Sequence, residues 1–553
     1  PGVTGTQTAV TFLGGGSPVV VIGANSDVNR TVSVKHITIE IADYVGGGND
    51  VLGDETPTKE GYTFVRADGS DWNILEVTND LSVLSGALHA DVGVNIYSKG
   101  RTEVLDGAEL HISQQAFVRA MKGIDVSGTV TIDAYDRSTP GVASSRNDGK
   151  LYVVNGGSIN IIQTQDAGTG TPNVYVGNVK VNGVLGAFSF DDENDLPITD
   201  YSYDQLSYDA DGSNISNDGI LTNEHGSVIA EGNLTNSGTL TQTYRMGGEG
   251  TPTTWVYGTL TNTGKGSVTE GDTQRNLGVF IENGEVLVGA LDNQGDFTLS
   301  GFSNLGVTGF VTLTPDGAPT EVEGTETLED GSTIKKTTTT TNYDVTTQAA
   351  QVTNSGNLSI TGESSMLVYA NQDYTVTHEV VEYEDGRIDI TTTRKPLAKP
   401  EVHNGKLTNS GTITINSEPW SDRALEVQGE LENTEGGTLA LQKGNLLVTS
   451  ALINEGEVAI SGGSAESAYV DNFGELKVSG GSLIVYDLLL STDKREVSGG
   501  GTMVAADKMI NEGGLTIAGG ATMYVGNGSA VSLPTAEGII VLDDFLENSG
   551  TIT

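Results

Sequence analysis

Carboxylates are the most abundant reactive groups in this chain: 73 Asp and Glu stand against 28 Lys and Arg, a formal charge of −45 over 553 residues. They crowd most tightly between 191 and 211, where Asp191, Asp192, Glu193, Asp195, Asp200, Asp204, Asp209 and Asp211 occur without a basic residue. Carboxylates packed this densely repel one another unless a cation bridges them, and calcium is the hard cation that takes such oxygen donors. Asp209-Ala210-Asp211-Gly212-Ser213-Asn214 has the spacing of the first half of a calcium loop, which makes Asp209 and Asp211 candidate metal ligands. Ile220 stands where such a loop places its bidentate Glu, so the plainer expectation is a solvated acidic loop.

A second calcium candidate is Gly46-Gly47-Gly48-Asn49-Asp50-Val51-Leu52-Gly53, with Asn49 and Asp50 as donors. It resembles one copy of the nonapeptide calcium repeat of RTX proteins, which bind calcium as stacked arrays. Calcium is thus the one cofactor these residues suggest. Other chemistry finds less support. The chain has no cysteine, which excludes zinc ribbons, disulfide frameworks and thiol catalysis. The six histidines (His36, His89, His111, His225, His378, His403) are far apart in sequence and read as surface residues. No Gly-x-Ser-x-Gly elbow occurs. The stretch from Gly258 to Gly264-Lys265 departs from a phosphate loop in spacing and in having Gly266 after the lysine. A surface this acidic repels phosphate backbones, which argues against nucleic-acid partners. Arg101, Arg119, Arg146, Arg245, Arg275 and Arg423 are scattered, so a polysaccharide lyase or glycosidase is kept only as an alternative. Tyr201, Tyr203 and Tyr208, or Trp255 with Tyr257, would be its sugar platform. No residue is expected to be catalytic.

The elements that must hold these residues announce themselves by repetition. A phrase of apolar, any residue, Asn, a residue or two, Gly, any residue, apolar occurs as Leu234-Thr235-Asn236-Ser237-Gly238-Thr239-Leu240 and Val352-Thr353-Asn354-Ser355-Gly356-Asn357-Leu358. It returns as Leu407-Thr408-Asn409-Ser410-Gly411-Thr412-Ile413 and Leu546-Glu547-Asn548-Ser549-Gly550-Thr551-Ile552. Looser copies centre on Asn223, Asn262, Asn283, Asn293, Asn433, Asn454, Asn472 and Asn511. From Asn433 the steps are 21, 18, 39 and 37 residues, the last two close to double steps, so one coil takes about 20 residues. Short alternating strands between Asn-Gly or Gly-Gly corners predict an all-β chain, a parallel β-solenoid rather than a string of sandwiches. Asparagine and glycine are expected at corners because they tolerate left-handed backbone. Stacked asparagines could also pass amide hydrogen bonds from coil to coil.

The solenoid is expected over 76–553, with residues 1–75 as an irregular cap or docking segment. Residues 321–360 align without gaps onto 376–415, an offset of 55. The Glu329-Asp330-Gly331 and Glu384-Asp385-Gly386 turns predict two projecting hairpins, near 321–345 and 376–400. In the second, Val381 and Tyr383 should share a face with Ile388 and Ile390. Further insertions are expected near 191–216 and 244–257. No run approaches the roughly 18 apolar residues that span a bilayer, so no membrane insertion is expected. The start at Pro1 fits an exported chain whose leader is gone, and the halt in mid-coil after Asn548 suggests an edge that another copy completes.

The Leu-x-Asn-Ser-Gly-x-Leu coils at Leu234, Val352, Leu407 and Leu546 resemble the passenger domains of bacterial autotransporters and related repetitive surface adhesins. That resemblance implies a right-handed parallel β-helix exported to the bacterial cell surface and acting in adhesion, aggregation or matrix building; a non-enzymatic role is the leading expectation. The expected partners are the chain itself or a surface glycan or protein. The alternative structural reading is a filament or surface-layer subunit joined end to end by strand complementation.

Overall fold

The computed structural model describes residues 80–525 apart from 134–147, 166–173, 189–212, 245–250, 328–332, 384–387, 419–422 and a few shorter stretches. It also describes the strands Val10–Leu13, Val19–Ile22, Arg30–Val34, Ile37–Glu40, Tyr62–Ala67 and Asn73–Val77 before them, and Ile539–Leu542, Phe545–Asn548 and Thr551–Ile552 after them. The described residues are all-β, with no helix, and one long parallel sheet holds most of the strands.

The pairing has a simple rule. Arg101–Val104 lies in parallel between Leu81–Val83 and Gly123–Val126. Ala108–Ile112 lies between Gly86–Ala90 and Thr129–Ile132, and Phe117–Ala120 between Val94–Ser98 and Lys150–Val153. Three strands therefore make one layer, and each strand stacks on its counterpart in the layer before. The strands described ahead of residue 77 obey the same rule: Val10 pairs with Ile37, Ile37 with Leu81, and Tyr62 with Ala87. Thr253–Asn262 pairs in parallel with Ser227–Ala230, so this part of the expected 244–257 insertion belongs to the stack. Most of the 191–216 insertion lies outside the described residues.

Alternation makes the core. In Thr438–Lys443 only Leu439 and Leu441 are buried, and in-register stacking sets Leu439 on Ile413 and under Val458. Leu407, Leu431, Leu452, Val470, Leu489 and Met509 form a second such column. These residues belong to one continuous apolar cluster running from Val77 to Val525. Burial at roughly 25 cal/mol per Å² makes this column stacking the main stabilising force. One wall is apolar on both faces: Phe117, Tyr152, Phe188 and Tyr257 form a separate buried cluster, with Tyr97 edge-on to Phe117 at 5.1 Å.

The asparagines stand inside, next to the apolar columns, and not at strained corners. Asn236, Asn262, Asn293, Asn354, Asn409, Asn433, Asn454 and Asn472 are each at most 1% exposed. From Asn236 to Asn454, Nδ2 donates to Oδ1 of the next layer's asparagine: Asn354 to Asn409, Asn409 to Asn433 and Asn454 to Asn472 at 2.7 Å, and Asn433 to Asn454 at 2.8 Å. The chain starts at Asn217 and runs in one direction, ending on Ser491 Oγ at 3.0 Å. Aligned amides of this kind polarise one another. The expected amide ladder is present, but the left-handed backbone expected of these asparagines is not. Asn283 is the only non-glycine with positive φ among the described residues, and it stands outside the ladder.

Left-handed glycine is found at Gly-Gly corners, as at Gly463 and Gly436, but the glycine of the asparagine motif has a different reason from the expected one. Gly238, Gly356, Gly411, Gly456 and Gly474 do not have positive φ. A Cβ on Gly411 would collide with the carbonyl oxygen of Gly356, one on Gly356 with that of Gly295, and one on Gly474 with that of Gly456. Stacked corners approach so closely that only hydrogen fits.

Candidate functional site: the projecting sheet and its root

Two hairpins leave the stack at the same corner of successive layers, after Val307 and after Val368, which are themselves paired. They do not stay separate. Thr333–Thr347 of the first pairs antiparallel with Tyr374–Tyr383 of the second, giving one sheet. Its order runs from Val311–Pro315 and Thr320–Thr327, through Thr333–Thr347 and Tyr374–Tyr383, to Ile388–Pro396. The 15-residue strand Thr333–Thr347 gives this fin a length of roughly 50 Å at about 3.4 Å per residue.

The register corrects one expectation. Thr327 pairs with Thr333 and Glu382 with Ile388, so five residues lie between the last paired positions of each hairpin. The one-residue shift exchanges faces. Ile390 sits opposite Val380, and Ile388 opposite Glu382, so neither shares the face of Val381 and Tyr383.

Burial falls from root to tip. At the root, Val345, Tyr374 and Val376 pack with Val311 and Tyr343 into a small core of their own. Arg394 covers the Tyr374 ring at 3.6 Å from its centroid. Beyond that core the strands have water on both sides: Thr320–Thr327 is exposed almost throughout, with Val322 63% exposed. His378 meets the Tyr343 ring edge-on at 5.2 Å, and its half-burial lowers its pKa from the ordinary 6.5.

Where the second hairpin joins the stack, Asn371–Gln372 pairs antiparallel with Val402–His403. This brings Asp373 beside Glu401 and His403, with one donor atom from each lying within 4.8 Å of the others. Asp373 Oδ1 accepts hydrogen bonds from Thr347 N at 2.8 Å and Thr347 Oγ1 at 3.2 Å, so the end of the first hairpin orients it. Sequence reading missed this group because 28 residues separate Asp373 from Glu401. The duplicated hairpin was the signal that the chain leaves and returns there.

A second group of polar residues lies in the stack. His89 and His111 are register partners in successive layers, their rings 4.3 Å apart. His89 Nε2 is 2.7 Å from Ser113 Oγ, and His111 Nε2 is 2.6 Å from Asp133 Oδ2. His89 is buried, which overturns the expectation of isolated surface histidines. The signal was available: His89, His111 and Asp133 are spaced by 22 residues, one layer each. Ser113 and Asp133 bond to different imidazoles, unlike a hydrolase triad, where one imidazole joins hydroxyl and carboxylate.

Of the calcium candidates, Asn49, Asp50, Asp209 and Asp211 lie outside the described residues. The rest of the Asp209–Asn214 motif that the structure describes is taken up by the stack. Ser213 is buried and donates to Phe188 O, while Asn214 Oδ1 accepts from Asn233 N at 2.6 Å. Trp255 and Tyr257, read as sugar-stacking candidates, pack into the second apolar cluster. No protein-family model matches the chain, and no curated protein matches its sequence.

Proposed function

We propose that this chain is a non-enzymatic extracellular β-solenoid, a right-handed parallel β-helix of the cell surface, which presents the fin for adhesion or surface-matrix assembly. The observation that carries this reading is a sheet four strands wide, built by duplication, whose outer part is exposed on both faces. Such a sheet contributes little to a core, and the backbone groups along its edges suit strand addition by a partner. In-register parallel pairing through layer after layer supports a rigid rod as its mount. The partner is a second copy of the chain or a surface glycan or protein.

The test replaces 311–347 and 374–396 by short Gly-Ser linkers and compares the product with the full chain by sedimentation, electron microscopy and bead aggregation. Association that disappears with the fin supports the reading. Ordered fibres that persist without it favour end-to-end joining, and new reducing or unsaturated ends released from polysaccharides would overturn the non-enzymatic assignment.

A further inference from the structure

We infer that Asp373, Glu401 and His403 form a site for a divalent transition metal of the zinc class, clasping the root of the fin. The donor set is one imidazole nitrogen and two carboxylates, brought together by the antiparallel pairing of Asn371 with His403. His403 Nε2 is the most telling atom. The atom is buried, within a side chain 23% exposed, and has no hydrogen-bond partner among the described residues. Its nearest charged neighbour, Asp373 Oδ1, is 3.5 Å away, too far for a hydrogen bond to an imidazole. Two ligands of one tetrahedral zinc ion, each bonded at about 2.0–2.2 Å, stand roughly 3.3–3.5 Å apart. The His403–Asp373 separation matches the spacing of two ligands on one ion.

The surroundings suit this role. Thr347 holds the Asp373 carboxylate through both its N–H and its hydroxyl, the kind of outer contact that fixes a ligand's direction. Two carboxylates converging in a chain of net charge −45 repel unless a cation joins them. The nitrogen donor argues for zinc over calcium, which prefers oxygen throughout. Mechanically, the ion would tie the start of the second hairpin to its end, while Thr347 carries the link to the end of the first. This inference is independent of what the fin binds.

The 553-residue chain, stripped with chelator, should take up about one Zn²⁺ in calorimetry through this site. Zinc should raise amide-exchange protection in Thr333–Thr347 and Tyr374–Tyr383. The variants His403→Ala and Asp373→Asn should each abolish that uptake and that protection, with the circular dichroism of the stack unchanged. Thr347→Val, which keeps the backbone donor and removes the hydroxyl, should weaken binding by about tenfold. Zinc uptake that is the same in all three variants would overturn the inference. So would protection of the fin by Ca²⁺ and not by Zn²⁺.

Discussion

One duplicated stretch supplies both neighbouring layers of the stack and most of the fin, and the two regions solve opposite problems. In the stack half, the two copies lie directly on one another in parallel, Thr353 on Thr408 and Asn354 on Asn409. In the hairpin half they become antiparallel neighbours, with Thr341 opposite His378. Stack strands bury alternate residues and satisfy the polar ones with the amide ladder. Fin strands are richer in β-branched residues than stack strands but bury them only at the root. β-Propensity is shared by both regions, so what separates them is the inward leucine and asparagine that give a layer something to stack on.

The sharpest way to break that contrast is to remove one rung. In Asn409→Ala, Asn354 Nδ2 loses its asparagine acceptor and Asn433 Oδ1 its donor. Two buried polar groups at about 1–3 kcal/mol each predict a loss of about 2–6 kcal/mol. The readout is the denaturant midpoint, with amide exchange accelerated in Asn357–Gly362 and Gly429–Asn433. Gly411→Ala should act in the same direction, because its Cβ meets the Gly356 carbonyl. Thr339→Ala in the fin should stay within about 0.5 kcal/mol. Equal effects at Asn409 and Thr339 would dissolve the distinction between the regions.

The next effect is smaller and has the opposite sign. The ladder breaks at Ser491, and in the same layer Arg495 occupies an inward position between Leu476 and Leu515. Arg495 is fully buried and donates to Asn511 Oδ1, but its Nε and Nη1 have no partner among the described residues. Burial lowers its pKa to about 10. Ser491 is small enough to leave room for the guanidinium where another asparagine would stand. Exchanging both, as Ser491→Asn with Arg495→Leu, should restore leucine stacking and return a donor to Asn511. The expected gain is about 1–4 kcal/mol, the range seen when buried charges give way to packed apolar side chains. Arg495→Leu alone should gain less, since Asn511 Oδ1 then loses its donor. A double variant less stable than the parent would show that the buried arginine belongs to the layer's design.

How much of this could be read in advance follows from what each residue needs. The asparagine period was legible because successive layers from Asn217 to Asn472 need the same polar group at the same place. The role of its glycine was misread because sequence reports a residue's tolerance of φ, whereas here a neighbouring carbonyl one layer away excludes Cβ. His89, His111 and Asp133 escaped notice because separation by one layer looks like isolation until the layer length is known. The hairpins were legible from Asp-Gly, but their register was not. A five-residue connection and a two-residue turn share that signal and place opposite faces together. Asp373, Glu401 and His403 depend on where a hairpin rejoins the stack, which no local pattern encodes.

The smallest expected effect asks whether the fin responds to pH while the stack does not. Burial lowers the pKa of His378 below 6.5 in the folded chain, so the unfolded chain binds the proton more readily. The stability this residue contributes is therefore fully present above pH 6.5 and is lost as pH falls below that value. Thr341 and Thr392 lie directly opposite His378 in the flanking strands. With the histidine only half-buried, solvent screening holds the effect under about 1 kcal/mol. Amide exchange in Thr333–Thr347 and Tyr374–Tyr383 should speed up between pH 7 and 5.5 beyond the intrinsic change. The layers from Gly405 to Val478 contain no histidine and should not follow. His378→Phe keeps an aromatic ring against Tyr343 and removes the titration, so it should flatten the fin's response. A response that survives in that variant would assign the pH dependence to groups other than His378, and the contrast would then rest on the ladder and the glycine column alone.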